Sequence, residues 1–94
     1  MNLSNKILKI NPRDNLIVAL SDLKKSEIIT IDNQEVELKS NINSKHKFSV
    51  QDLSVGDKVY MYGVIVGKAI KKILKGEIIN KNNISHETEN YKLQ

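Results

Sequence analysis

There is no cysteine in the 94 residues, which excludes a disulfide framework and a thiolate metal site and agrees with a cytoplasmic protein. Aromatic residues are scarce, with one Phe and three Tyr, so little surface is available for stacking nucleic-acid bases. The 15 Lys and Arg exceed the 11 Asp and Glu, for a formal charge of +4, but the basic residues are scattered and form no block, so nucleic acid is not expected as a partner. No apolar run approaches the roughly 20 residues that cross a bilayer, and Met1–Ile10 has no apolar stretch or small-residue cleavage site of a secretory leader. Neither a membrane nor a targeting route is expected. The length fits one domain.

The pattern that is present has a period of two. Glu35-Val36-Glu37-Leu38-Lys39 alternates charged and apolar residues, and Ile29-Thr30-Ile31 does the same, as in half-buried strands. Asp32-Asn33 between them is turn chemistry, so 27–39 is predicted to be a β-hairpin. Further strands are expected near 15–20, 46–50, 57–62, 64–69 and 77–81, with Tyr62-Gly63 as a turn and Gly67 as a bulge or close backbone approach. No helix longer than a turn or two is expected. Residues 1–85 are read as the domain and 86–94 as a polar tail.

An irregular repeat runs through the chain. Asp22-Leu23-Lys24-Lys25-Ser26-Glu27-Ile28-Ile29, Asp52-Leu53-Ser54-Val55-Gly56-Asp57-Lys58-Val59 and Lys72-Ile73-Leu74-Lys75-Gly76-Glu77-Ile78-Ile79 share an apolar anchor, a small residue at the fifth place, an acid, and a strand. Glycine suits the fifth place because it tolerates φ > 0. The repeat predicts a compact all-β fold with recurring corners.

Candidate chemistry is sparse. No His-Glu-x-x-His motif, phosphate-binding glycine loop or serine elbow occurs. His46, between Lys45 and Lys47, reads either as a surface histidine in a basic loop or as a proton-transfer or anion-binding group. His86 falls in the tail and is given no role. Asp14-Asn15 reads first as a turn before a strand, and Asn80, Asn82 and Asn83 as turn residues. Asparagine alone is a poor ligand set for a catalytic divalent metal, so no metal site is assigned.

From about Lys6 to Ile84 the chain resembles the N-terminal SAF domain of the altronate and galactarate dehydratase family, which has a β-clip fold. The resemblance is carried by Asp14-Asn15-Leu16-Ile17-Val18-Ala19-Leu20, then His46-Lys47-Phe48-Ser49-Val50, then Tyr62-Gly63-Val64-Ile65-Val66-Gly67-Lys68-Ala69, in the family's order and spacing. Two places depart from the pattern. Lys45 stands where the family has Gly before its His-Lys pair. Ile79-Asn80-Lys81-Asn82-Asn83 stands where the family has Val-His-x-His-Asn, so only the final Asn is kept.

The resemblance implies the small accessory subunit of a sugar-acid dehydratase, inactive alone, completing the active site of a separate large catalytic subunit. It implies His46 as the catalytic residue, with Lys45, Lys47 and Asn15 as substrate contacts. No cofactor is expected on this chain alone, while iron or manganese is expected in the complete enzyme. The sugar acid and the large subunit are the implied partners, and a homo-oligomer is left open. The competing reading is a non-catalytic SAF module that binds carbohydrate or protein.

Overall fold

The computed structural model describes residues 6–86, and within them there is no helix. Nine strands follow in order: β1 (Ile7–Leu8), β2 (Leu16–Ala19), β3 (Ile28–Ile31), β4 (Gln34–Glu37), β5 (Lys47–Ser49), β6 (Lys58–Met61), β7 (Val64–Ala69), β8 (Ile78–Ile79) and β9 (Ile84–His86). They form a four-stranded sheet in the order β1-β2-β5-β8, a three-stranded sheet β6-β7-β9, and the lone hairpin β3-β4, every pair antiparallel.

Both hairpins close as the sequence predicts. Asp32 and Asn33 (φ 50° and 67°), and Tyr62 and Gly63 (φ 58° and 80°), put two left-handed residues at each tip. That geometry matches the right-handed twist of paired strands. Gly67 is both things expected of it. The register shifts beside it, pairing Val59 with Gly67 but Tyr60 with Ile65. A Cβ there would also lie 2.2 Å from the Ser85 carbonyl oxygen, so only glycine lets β9 approach β7.

The repeat becomes a corner, and there are four of them. The fourth, Asn41 to Phe48, escaped the sequence pattern. Each corner is a turn closed by the sixth residue donating to the carbonyl of the third: Glu27 to Lys24, His46 to Asn43, Asp57 to Ser54 and Glu77 to Leu74, at 2.9–3.0 Å. The fifth residue is left-handed in all four: Ser26 at 75°, Lys45 at 74°, Gly56 at 93° and Gly76 at 90°.

Corners lock in pairs. Leu23 and Ile42 exchange two backbone hydrogen bonds, and so do Leu53 and Ile73. The left-handed residue of each corner donates to the strand leading into its mate: Ser26 to Leu38, Lys45 to Ala19, Gly56 to Ala69 and Gly76 to Ser49. The chain thus runs as two similar halves that share β5. Each half buries its own core, one around Ile17, Leu23, Val36, Ile42 and Phe48, the other around Leu53, Val59, Ile73, Ile79 and Ile84.

Two short strands were not expected from the sequence. One is β1, and the other is β9, which ends on His86. The tail as read from the sequence therefore begins inside a strand, and the rest of it, 87–94, lies outside the described residues.

Candidate functional site

Asp14 and Asn15 fasten the start of β2 to the β6–β7 hairpin. Asp14 accepts from the Gly63 and Asn11 N–H groups at 2.8 and 3.1 Å. Asn15 donates to the Lys58 carbonyl at 3.0 Å and accepts from the Tyr60 N–H at 2.8 Å. Both residues are buried. Asn15, expected as a substrate contact, therefore has its donor and its acceptor engaged with backbone, and it does not line the groove described next. Its place is structural, since a buried amide this well satisfied is expensive to unpair.

Between the sheets that this pair ties together lies a groove of about 630 Å³. Leu16, Met61, Val66, Ile79 and Ile84 form its floor, all of them buried in or packed against the second core. Lys45, His46, Lys47, Asn80, Lys81 and His86 form its polar rim. Three of the residues expected at the site from the sequence, Lys45, His46 and Lys47, come together here. His86, given no role from the sequence, joins them.

Corner geometry positions the first bank. The His46 N–H is bound to Asn43 and its carbonyl accepts from Ala19 at 2.8 Å, which fixes the backbone and leaves the imidazole exposed at the rim. The register Lys47↔Ile79 between β5 and β8 then sends Lys45 and His46 off the same end of the ladder as Asn80 and Lys81. The turn after β8 is held by asparagines. Asn83 donates to the Ile78 carbonyl at 2.7 Å and accepts from the Asn80 N–H at 3.0 Å, which gives a structural reason for the one asparagine kept from the family pattern.

Among the described residues every charged group lining the groove is cationic. The described ion pairs lie elsewhere, Lys6 with Glu27 at 2.7 Å and Lys9 with Asp32 at 2.5 Å. The hydrogen bond from Lys6 holds the Glu27 carboxyl below the ordinary glutamate value, and that from Lys9 does the same to Asp32. A second hollow of about 430 Å³ has mixed charge, with Glu35, Glu37 and Asp52 beside Lys39 and Lys75. Asp52 is engaged there, accepting from the Lys75 N–H at 2.8 Å.

The divalent metal implied by the resemblance does not fit these residues. Among the described residues no three of His, Cys, Asp or Glu gather as a ligand set, and the side chains of Asn80 and Asn83 after β8 are engaged in the turn. No helix of the described residues is long and apolar enough to cross a membrane.

Short antiparallel strands, interlocked corners and a basic groove on one flank define a small all-β domain of the β-clip kind. The family model of the altronate/galactarate dehydratase SAF domain matches residues 5–87, and the chain belongs to that family. It is 36% identical over 76 residues to altronate dehydratase of Escherichia coli (strain K12) and 33% identical over 76 residues to altronate dehydratase of Bacillus subtilis (strain 168). Each match covers 81% of this chain but 15% of the relative, so the chain spans a small part of the proteins it resembles.

Proposed function

We propose that this domain is the accessory subunit of a sugar-acid dehydratase and completes the active site of a separate, larger catalytic chain. The observation that carries this reading is a groove whose charged lining, among the described residues, is all cationic, with Lys45, His46, Lys47 and Lys81 at one rim in a domain of a dehydratase family. Removing water from a 2,3-dihydroxy acid requires loss of the proton beside the carboxylate and protonation of the departing hydroxyl. Lysines attract and orient the carboxylate. A ring nitrogen of His46, at the tip of an anchored corner, is suited to hand a proton to the departing hydroxyl. In that assembly a divalent metal belongs with ligands on the catalytic chain.

The test is reconstitution with a catalytic dehydratase chain from the same source that lacks a domain of this family. The 94-residue chain alone should turn over neither altronate nor galactarate, with or without added iron or manganese, and the pair should do so. In the pair, His46→Ala should lower turnover by roughly 10²-fold or more, with a melt displaced by under about 0.5 kcal/mol, as for an exposed loop residue. Equal turnover with and without this chain would return the domain to the binding-module reading.

A further inference from the structure

His86 comes from the opposite wall of the groove. The first bank, Lys45, Lys47 and Lys81, belongs to the ends of β5 and β8, whereas β6, β7 and β9 supply the floor residues Met61, Val66 and Ile84 and, above them, His86. Among the described residues of that wall, His86 is the polar group. Its backbone is set by the pairing Gly67↔His86 and by the close approach at Gly67 that no Cβ would permit. The rest of the described lining carries three lysines, Lys45, Lys47 and Lys81, and no carboxylate. Gathered like charge destabilises the folded state unless an anion sits among them.

We propose that His86 is a ligand-contacting residue and that the groove takes a linear hydroxy acid across its width, with the carboxylate among Lys45, Lys47 and Lys81 and the hydroxyls reaching His86. The assignment rests on the reading of this groove as substrate-facing. An ammonium only donates hydrogen bonds, and a carboxylate only accepts them. A hydroxyl does both, and a neutral imidazole, with one donor and one acceptor nitrogen, is its match. A plain carboxylate therefore engages the lysine bank alone, and a hydroxy acid engages both walls.

The experiment is an NMR titration of the full chain, isotopically labelled, following the ring Cε1–Hε1 signals of His46 and His86 with acetate and with altronate as probes. His46 should respond to both and His86 to altronate alone. His86→Ala should weaken altronate about tenfold, the scale of one lost hydrogen bond, and leave acetate affinity and the amide spectrum of the fold unchanged. A His86 signal that stays fixed while that of His46 moves overturns the assignment. Equal responses of both rings to acetate and altronate overturn it too, since the groove would then be a general anion site. No response at either ring removes the groove as a ligand site on this chain, while turnover of the reconstituted pair decides the dehydratase reading separately.

Discussion

Three corners of the molecule are closed by an acid, and one is not. Glu27, Asp57 and Glu77 accept from the N–H of the third residue of their own turn, Lys24, Ser54 and Leu74, at 3.1, 2.7 and 2.8 Å. The equivalent residue in the corner from Asn41 to Phe48 is His46. That corner keeps its backbone turn, its bond to Ala19 and its lock with Leu23. It also exchanges caps with its mate, since Asp22 accepts from the Ser44 N–H and Asn41 in turn accepts from the mate's Lys25 N–H, each at 2.8 Å. The corner thus holds its shape without its own acid. Exchanging that acid for an imidazole leaves this corner, with Lys45 and Lys47, without any carboxylate, unlike the other three, at the groove rim.

The largest expected effect contrasts two corners of the same half. Gly56 and Gly76 share a left-handed φ, but a Cβ at Gly56 meets nothing within 4 Å, whereas at Gly76 it would lie 2.1 Å from the Glu37 carbonyl oxygen. Gly56→Ala should cost about 1–2 kcal/mol from the left-handed conformation alone. Gly76→Ala adds a clash against backbone and should cost about 3 kcal/mol or more. Denaturant melts of the two variants check this, and equal losses would mean that the corners are not packed differently.

A smaller effect separates the first corner from the other acid-closed ones. Glu27 closes its turn and also pairs with Lys6 at 2.7 Å, and that hydrogen bond, ahead of the one from Lys24, lowers its pKa. With the folded value below the unfolded one, the unfolded chain binds more protons in between. The stabilisation is then present above the unfolded value and is lost as pH falls through the folded one. Glu27→Gln should therefore lower stability at pH 7 by no more than about 1 kcal/mol, as for an exposed pair, and the gap to the wild type should close as the pH drops below about 4. A gap that persists in acid would assign the effect to packing rather than charge.

The same contrast explains what was legible in the sequence. Alternation about Asp32-Asn33 marked the first hairpin, and short apolar runs on either side of Tyr62-Gly63 marked the second, because strand patterns and turn residues are local signals. Three corners were visible through their acid and small fifth residue. The fourth was hidden because Lys45 and His46 replace both signature positions, leaving only the anchors Ile42 and Phe48. Strands β1 and β9 are two and three residues long and exist through partners distant in sequence, so no local pattern announces them. The groove is legible only in part for the same reason. His46 and its lysines are contiguous, but His86 reaches them through the pairing of β9 with β7, and Asn15, read from the sequence first as a turn residue and put at the site only by the resemblance, is held by buried bonds to Lys58 and Tyr60 that no local pattern announces.

The finest test concerns the left-handed residue of the exceptional corner. Lys45 and Ser26 occupy the same conformation, at 74° and 75°, and belong to mated corners, but Lys45 lines the groove and Ser26 does not. A left-handed non-glycine residue costs about 1–2 kcal/mol, and replacing it by glycine returns part of that gain by freeing the unfolded chain, about 0.4–1 kcal/mol. Lys45→Gly and Ser26→Gly should each raise stability by about 0.5 kcal/mol, a net set by those opposing contributions. Only Lys45→Gly should weaken carboxylate binding, because it removes one of the three lysines that line the groove. A paired comparison of melts and acetate titrations separates the two roles. If both variants gain stability and neither loses affinity, the lysine is a conformational substitute for glycine with no part in the groove. If Lys45→Gly loses affinity while Ser26→Gly does not, the residue that departs from the family's glycine carries strain for the sake of its charge.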